Sequence, residues 1–291
     1  MVLTPMMTHY PDVAAVIVTR NRIDMLRQTL ESIQQGTYPI HEIIVSDDSS
    51  DDTTAIMLAA EFPEVRRIVG PRRGISANRN RGMGIVKADY ILLSDDDMIV
   101  APRFVELAME QILNTGAEMV FTGTSDYDEA IFPNTFDFLG FASRPYPPGA
   151  PWETANQQCF VISKKLALEM PYDEIIASYG YEEMDYAYRV NAAGHRIGCV
   201  DSLANIHLAP NADKPFRFEQ DGCRLYVTYK RLAYVDHRPF KGLLYLIIAL
   251  PHHLLASIRR VGFRKGWSQA FYNFRSTFRM LSEFRRQNLR T

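Results

Sequence analysis

The sequence predicts an α/β fold, a mostly parallel sheet flanked by helices, followed by a basic, helical C-terminal extension. Three observations carry this. The first hundred residues alternate short continuous apolar runs with segments of helical period. Polar clusters follow three of those runs, where open α/β sheets bind ligands. The charge is also divided: residues 224–291 hold fourteen Lys and Arg against two acids, Asp236 and Glu283. Because the whole chain has a net charge of −2, the rest is strongly acidic. An acidic body joined to a basic tail implies a cation as partner at one end and an anionic surface at the other.

The elements follow in order. VAAVIV (13–18) is a continuous apolar run, as expected of a strand buried on both faces. Asn21 with Asp24 resembles a capping box, and Leu26, Leu30 and Ile33 then share one helix face up to Gly36. EIIVS (42–46) predicts a second strand, the DDSSDD turn follows, and a helix runs from about 53 to 62. VRRIVG (65–70) predicts a third strand, 74–87 a helix, and DYILLS (89–94) a fourth strand. The stretch 121–158, rich in Pro, Gly and aromatics (RPYPPGAPW), reads as a long functional loop.

The chain of 291 residues suits one large domain with an appendage. The expected division is residues 1–222 as the catalytic domain and 223–291 as a basic amphipathic region. Three scattered cysteines, Cys159, Cys199 and Cys223, form neither a disulfide framework nor a CxxC zinc site, which points to a reducing cytoplasm. The first twelve residues lack a basic start before an apolar core, so no secretory signal is expected.

The chemistry concentrates in SDDDM. Along an extended strand end, Asp95 and Asp97 point the same way and can address one hard divalent cation, while Asp96 faces elsewhere. Thr19-Arg20, Asp47-Asp48 and this triad follow the first, second and fourth strands, so the topology brings them to one crevice.

IIVSDDSSDDT, ISANRNRGMGIVKADYILLSDDD and YGYEEMDYAYRVNAAGHRIG, in this order and spacing, resemble the family 2 glycosyltransferases with a GT-A fold. The usual forms in that family are VVDDGSTD, ARNxG…AxGxYILFLDxDD and ED-x-D-L-x-x-R…GYRI. The resemblance runs from about residue 13 to 207. It implies Thr19, Arg20, Asp47 and Asp48 in the nucleotide pocket and Arg79 reaching the base or phosphates. Asp95, Asp96 and Asp97 match the DxD segment on the sugar diphosphate, with Asp97, Asp95 and His207 holding Mn²⁺ or Mg²⁺. Glu183 stands at the position of the catalytic base, where the family usually has Asp; its extra methylene moves the carboxylate by about 1.5 Å, so Glu182 is the alternative base. Trp152, Asn156 and Gln157 fall where the family builds its acceptor side. Asp185 and Arg189, at i and i+4, read as a structural ion pair, and Asn80 as a structural residue.

In the tail, GLLYLIIALPHHLLASI (242–258) is apolar but short of the roughly 20 residues of an uninterrupted span. Trp267, Phe271, Phe274, Phe278 and Leu281 then form a helical stripe beside Arg275, Arg279 and Arg286. This pattern suits an in-plane helix on anionic lipid, or a stripe packed on the body. No nucleic-acid module is present. The resulting expectation is a cytoplasmic enzyme, peripheral at the inner face of the cell membrane. It would be metal-dependent and inverting, transferring sugar from a UDP-, dTDP- or GDP-linked donor to a hydroxyl of a lipid-linked saccharide or surface polysaccharide precursor. A nucleotidyltransferase is the competing enzyme, though TRNR lacks the glycines of a triphosphate loop. A non-catalytic membrane-bound scaffold is the competing non-enzyme, since Glu replaces Asp at the base position.

Overall fold

Strand β1 (Val13–Thr19) is buried along its whole length and lies between two parallel neighbours, β2 (Glu42–Asp47) and β4 (Tyr90–Asp95). The computed structural model describes residues 11–125, 130–177, 180–208 and 218–288. The first half alternates as expected: α1 (Ile23–Gln34), α2 (Thr53–Glu61), β3 (Arg66–Val69) and α3 (Ile75–Met83) interleave with those strands. Beyond β4 come β5 (Met98–Ile99), α4 (Phe104–Thr115), β6 (Met119–Ser125), β7 (Ala130–Ile131), β8 (Asn134–Phe136), β9 (Ala142–Pro145) and β10 (Cys159–Ser163). Then follow α5 (Lys164–Glu169), α6 (Glu182–Ala192), β11 (Ile197–His207), α7 (Gln220–Lys230), a π-helical turn (Arg231–Val235), α8 (Pro239–Val261) and α9 (Phe263–Asn288).

Among the described residues the main sheet has the order β3-β2-β1-β4-β10-β6-β11-β5, with β7 on β6 and a separate β8-β9 hairpin. Side-chain alternation along β1 builds both cores: Val13, Ala15 and Ile17 pack with α1, α2 and α4, while Ala14 and Val16 pack with α3, α5 and α6. β10 runs antiparallel between β4 and β6. That reversal delivers the residues preceding it to the carboxyl end of β4, where Asp95 N–H donates to the Gln158 carbonyl at 2.7 Å.

Two expectations change, and the domain division meets a helix. The stretch 121–158 is not one long loop, because its first residues belong to β6, a buried strand of the main sheet. Asn21 caps no helix: α1 begins after Arg22, and the Asn21 side chain accepts from Ser50 N–H at 2.9 Å. The division at 222/223 falls inside α7, which packs into the body through Cys223, Tyr226 and Val227 beside Ile176.

The last two helices form a hairpin closed at Gly262, whose φ of 83° is left-handed. Its interior holds His253, Ser257, Gly266, Ala270, Asn273 and Thr277; a Cβ on Gly266 would lie 2.5 Å from the Ile258 backbone. The outward face of α8 shows Phe240 (88 % exposed), Leu243, Leu244, Ile247, Ile248 and Leu255. The aromatic stripe divides: Trp267, Phe271 and Phe278 are exposed, Leu281 is buried beneath α7, and Phe274 packs near Leu225 and Tyr245. Among the described residues α8 alone is long and apolar enough to cross a membrane, by length and composition.

Candidate active site

The carboxyl ends of β1, β2 and β4 place Thr19, Asp47 and Asp95 side by side, because Thr19 registers with Asp47 and Val18 with Asp95. After Asp95 the chain leaves the extended conformation and turns through Asp96 and Asp97. Alternation therefore does not hold across the triad. Asp95 Oδ1 pairs with Arg79 Nη2 at 2.8 Å, whereas Asp97 Oδ2 faces Arg22 Nη1 at 2.6 Å and His207 Nε2 at 3.5 Å. Asp96 is fully buried, accepting from Thr19 Oγ1 at 2.7 Å and pairing with Arg22 Nη2 at 3.2 Å. Burial pushes the Asp96 carboxyl up to about 7 against the pull of Arg22.

Arg79 is completely buried, its guanidinium turned to carboxylates of this chain. It ties three elements together. From α3 it reaches Asp95 on β4, and it stands 3.5 Å from both Glu182 and Glu183 at the start of α6. Its guanidinium lies 5.2 Å from the ring centre of Tyr172. The start of α6 explains the carboxylate pair: Gly180 (φ 120°) and Tyr181 (φ 69°) turn the chain through left-handed conformations. Gly180 N–H donates to Glu182 Oε2 at 2.7 Å, and the helix N-terminus favours acids in its first turn. Glu182 is enclosed, its side chain 2 % exposed, while that of Glu183 is 21 % exposed. Burial raises both carboxyls, that of Glu183 to about 8, with Arg79 opposing.

The remaining expected residues separate. Asp47 is locked by Arg67 Nε (2.8 Å) and Ser49 N–H (2.9 Å), and Asp48 accepts from Arg72 N–H at 2.8 Å. Arg20 is exposed; the arginine that enters the crevice is Arg22, which the sequence did not single out. Asn21, with φ 57°, bends the chain between the two. Gln157 is buried and donates to the Glu183 carbonyl at 2.6 Å while accepting from Tyr172 Oη at 2.6 Å. It supports the proposed base's backbone. Asn156 donates to the Ile131 carbonyl at 3.0 Å, tying down β7. Trp152 is not in the crevice: it packs edge-on against Phe121 at 5.1 Å and lines a separate cavity of about 770 Å³ with Tyr146, Asn191 and His195. Gly70 and Asn78 were also not marked by the sequence. A Cβ at Gly70 would lie 2.2 Å from Asp48 Oδ1 and 2.5 Å from Asn78 Oδ1, so only glycine permits this approach.

Among the described residues no three His, Cys, Asp or Glu side chains converge to cage a metal by themselves. Asp97 and His207 nevertheless fit a shared divalent ion. Ligands adjacent on an ion with bonds of roughly 2.1 Å stand about 3 Å apart, and such ions keep other positions for water and substrate phosphates. The 3.5 Å separation accommodates that edge. Asp95, turned to Arg79, does not join it.

The chain aligns with the succinoglycan biosynthesis protein ExoO of Rhizobium meliloti (31 % identity, 40 % of this chain, 34 % of the relative). It also aligns with the GalNAc(5)-diNAcBac-PP-undecaprenol beta-1,3-glucosyltransferase of Campylobacter jejuni (30 % identity, 30 % of each chain). It thus spans about a third of these relatives. In fold it is similar to the mannosyltransferase PcManGT from Pyrobaculum calidifontis, solved with GDP-Man and Mn²⁺ (TM-score 0.60, 15 % identity, 94 % of this chain and 88 % of that one). The architecture is the GT-A type. The sequence pattern of glycosyl transferase family 2 matches residues 14–166, more than half of the 291, and it ends before α6. The chain belongs to glycosyl transferase family 2.

Proposed function

We propose that this chain is a metal-dependent, inverting glycosyltransferase that moves a sugar from a nucleotide donor to a hydroxyl of a lipid-linked saccharide or surface polysaccharide precursor. One observation carries the reading. Two carboxylates at the start of α6 and Asp95 converge on the buried Arg79, beside the Asp97–His207 edge. Of the two α6 carboxylates, that of Glu183 is the one with exposed surface, its side chain 21 % exposed, from which it can meet an acceptor.

In this reading Thr19, Asp47 and Asp48 line the nucleotide end of the crevice, and Asp97 with His207 holds the ion. When bound, Mn²⁺ or Mg²⁺ neutralises charge developing on the leaving diphosphate. Glu183, the more open of the pair, takes the proton of the acceptor hydroxyl as its oxygen bonds to the anomeric carbon and the bond to diphosphate breaks. Arg79 keeps that carboxylate aimed, and Gln157 fixes its backbone. A single displacement inverts the anomeric centre. The acceptor class is supported by the undecaprenol-linked substrate in the name of the Campylobacter relative. It is supported too by the exposed apolar face of α8 and by the exposed Arg259, Arg275 and Arg279 of the same hairpin, which suit attachment to the anionic inner face of the cell membrane.

A panel of UDP-, dTDP- and GDP-sugars with Mn²⁺, read by thermal shift and by hydrolysis, identifies the donor. The Asp97→Ala variant should lose turnover with that donor by at least about a hundredfold. Turnover surviving this change would overturn the metal-dependent reading. A product retaining the donor's anomeric configuration would overturn direct displacement.

A further inference from the structure

Arg22 is the residue immediately before α1, at the open mouth of the crevice, its side chain 44 % exposed. Its guanidinium bridges two of the three aspartates, Nη1 to Asp97 Oδ2 at 2.6 Å and Nη2 to Asp96 Oδ1 at 3.2 Å. The Asp97 oxygen it holds is the one that faces His207 Nε2 at 3.5 Å. A single carboxylate oxygen therefore faces both the arginine and the imidazole suited to share an ion with it. A dication at that oxygen and a guanidinium a few ångströms away repel twice as strongly as two unit charges would. The buried Asp96 is held independently by Thr19, and so keeps its place without the arginine.

We propose that Arg22 is an exchangeable counter-cation, which neutralises Asp97 and Asp96 in the metal-free protein and must leave Asp97 Oδ2 before a divalent ion can bind there. This rests on the reading of Asp97 and His207 as the ion's protein ligands. It gives Arg22 a role in setting metal affinity: in the absence of donor the arginine competes with the ion, and affinity is held down. A charge-assisted hydrogen bond of this kind corresponds to about a tenfold change in binding.

The test is titration of the full chain with Mn²⁺ alone, following the electron paramagnetic resonance signal of the free ion. The Arg22→Gln variant should bind Mn²⁺ about tenfold more tightly than the unsubstituted chain. Arg27→Gln removes the same charge from α1, but from a side chain paired with Glu61 and Asp24, and should change affinity less than twofold. Asp97→Asn should abolish tight binding with either residue at 22. If Arg22→Gln binds Mn²⁺ no more tightly than the unsubstituted chain while Asp97→Asn still weakens it, the exchange is wrong and the metal assignment stands. Absence of Mn²⁺ binding in every variant overturns both. Should Arg22→Gln fail to fold, Arg22→Met carries the test: it removes the charge from a long side chain, and affinity equal to that of the unsubstituted chain overturns the exchange.

Discussion

Lys230 of α7 pairs with Asp185 of α6 at 2.7 Å, and both side chains are buried. The same ammonium reaches Asp173 at 2.7 Å, and Arg189 completes the cluster on Asp185 at 2.8 Å. Asp185 lies within a turn of Glu182 and Glu183, so a helix that straddles the expected domain boundary braces the segment that carries the proposed base. Replacing Lys230 with Met removes the cation shared by Asp185 and Asp173, leaving Asp185 to Arg189 alone and Asp173 to the Tyr226 hydroxyl. The expected loss is about 3 kcal/mol of folding stability, measured by urea unfolding.

Glu183 governs the expected pH dependence. A base must be deprotonated, so kcat/KM of the free enzyme should rise with pH and level off above about 8, the value to which burial lifts this carboxyl. Stability should move the other way. A carboxyl raised above its unfolded value favours the folded state when protonated, and that contribution fades as pH climbs through about 8. Glu183→Gln should remove both trends and cut kcat by about a hundredfold or more. If Glu182→Gln has the larger effect on kcat and Glu183→Gln leaves the profile intact, the base is assigned to the wrong member of the pair.

Gly70 makes a test of the nucleotide end. The added methyl of Gly70→Ala meets the Asp48 and Asn78 side chains well inside contact distance. Asp48 must shift, and donor KM should rise about tenfold with kcat nearly unchanged, as for lost uniform binding. An equal fall in kcat would place Asp48 in transition-state stabilisation instead.

The exposed face of α8 predicts cosedimentation with vesicles containing phosphatidylglycerol, weaker with phosphatidylcholine alone and weakened by salt. Ile247→Glu, at a position 62 % exposed, should leave the fold intact. Burying an isoleucine side chain is worth roughly 2 kcal/mol, so vesicle binding should fall by at least about tenfold. Unchanged pelleting would remove α8 from the contact.

The fold of the first hundred residues was legible because buried parallel strands and amphipathic helices write their periods locally. β1, β2 and β4 open within a residue of the apolar runs that announce them. The crevice was legible too, since topology alone brings Thr19, Asp47 and Asp95 together. What could not be read depends on single dihedrals or distant partners. A left-handed Asn21 decides that Arg22, not Arg20, faces the aspartates. Arg79 is enclosed by acids about a hundred positions later in the chain, which no local pattern reveals. The reversed strand β10 sends Gln157 to the base and leaves Trp152 among the aromatics of the second core.

The two helices of the hairpin meet through small and polar side chains. Asn273 shares a hydrogen bond with His253 at 3.1 Å there, while Tyr245, Met280 and Leu281 are buried against the body and Phe240, Leu243 and Ile247 point outward. Helix pairs folded in water are sorted the opposite way; those that associate within lipid meet through small residues and buried hydrogen bonds. The proposed membrane contact therefore predicts that the hairpin's fold tolerates transfer into detergent micelles better than storage in plain buffer.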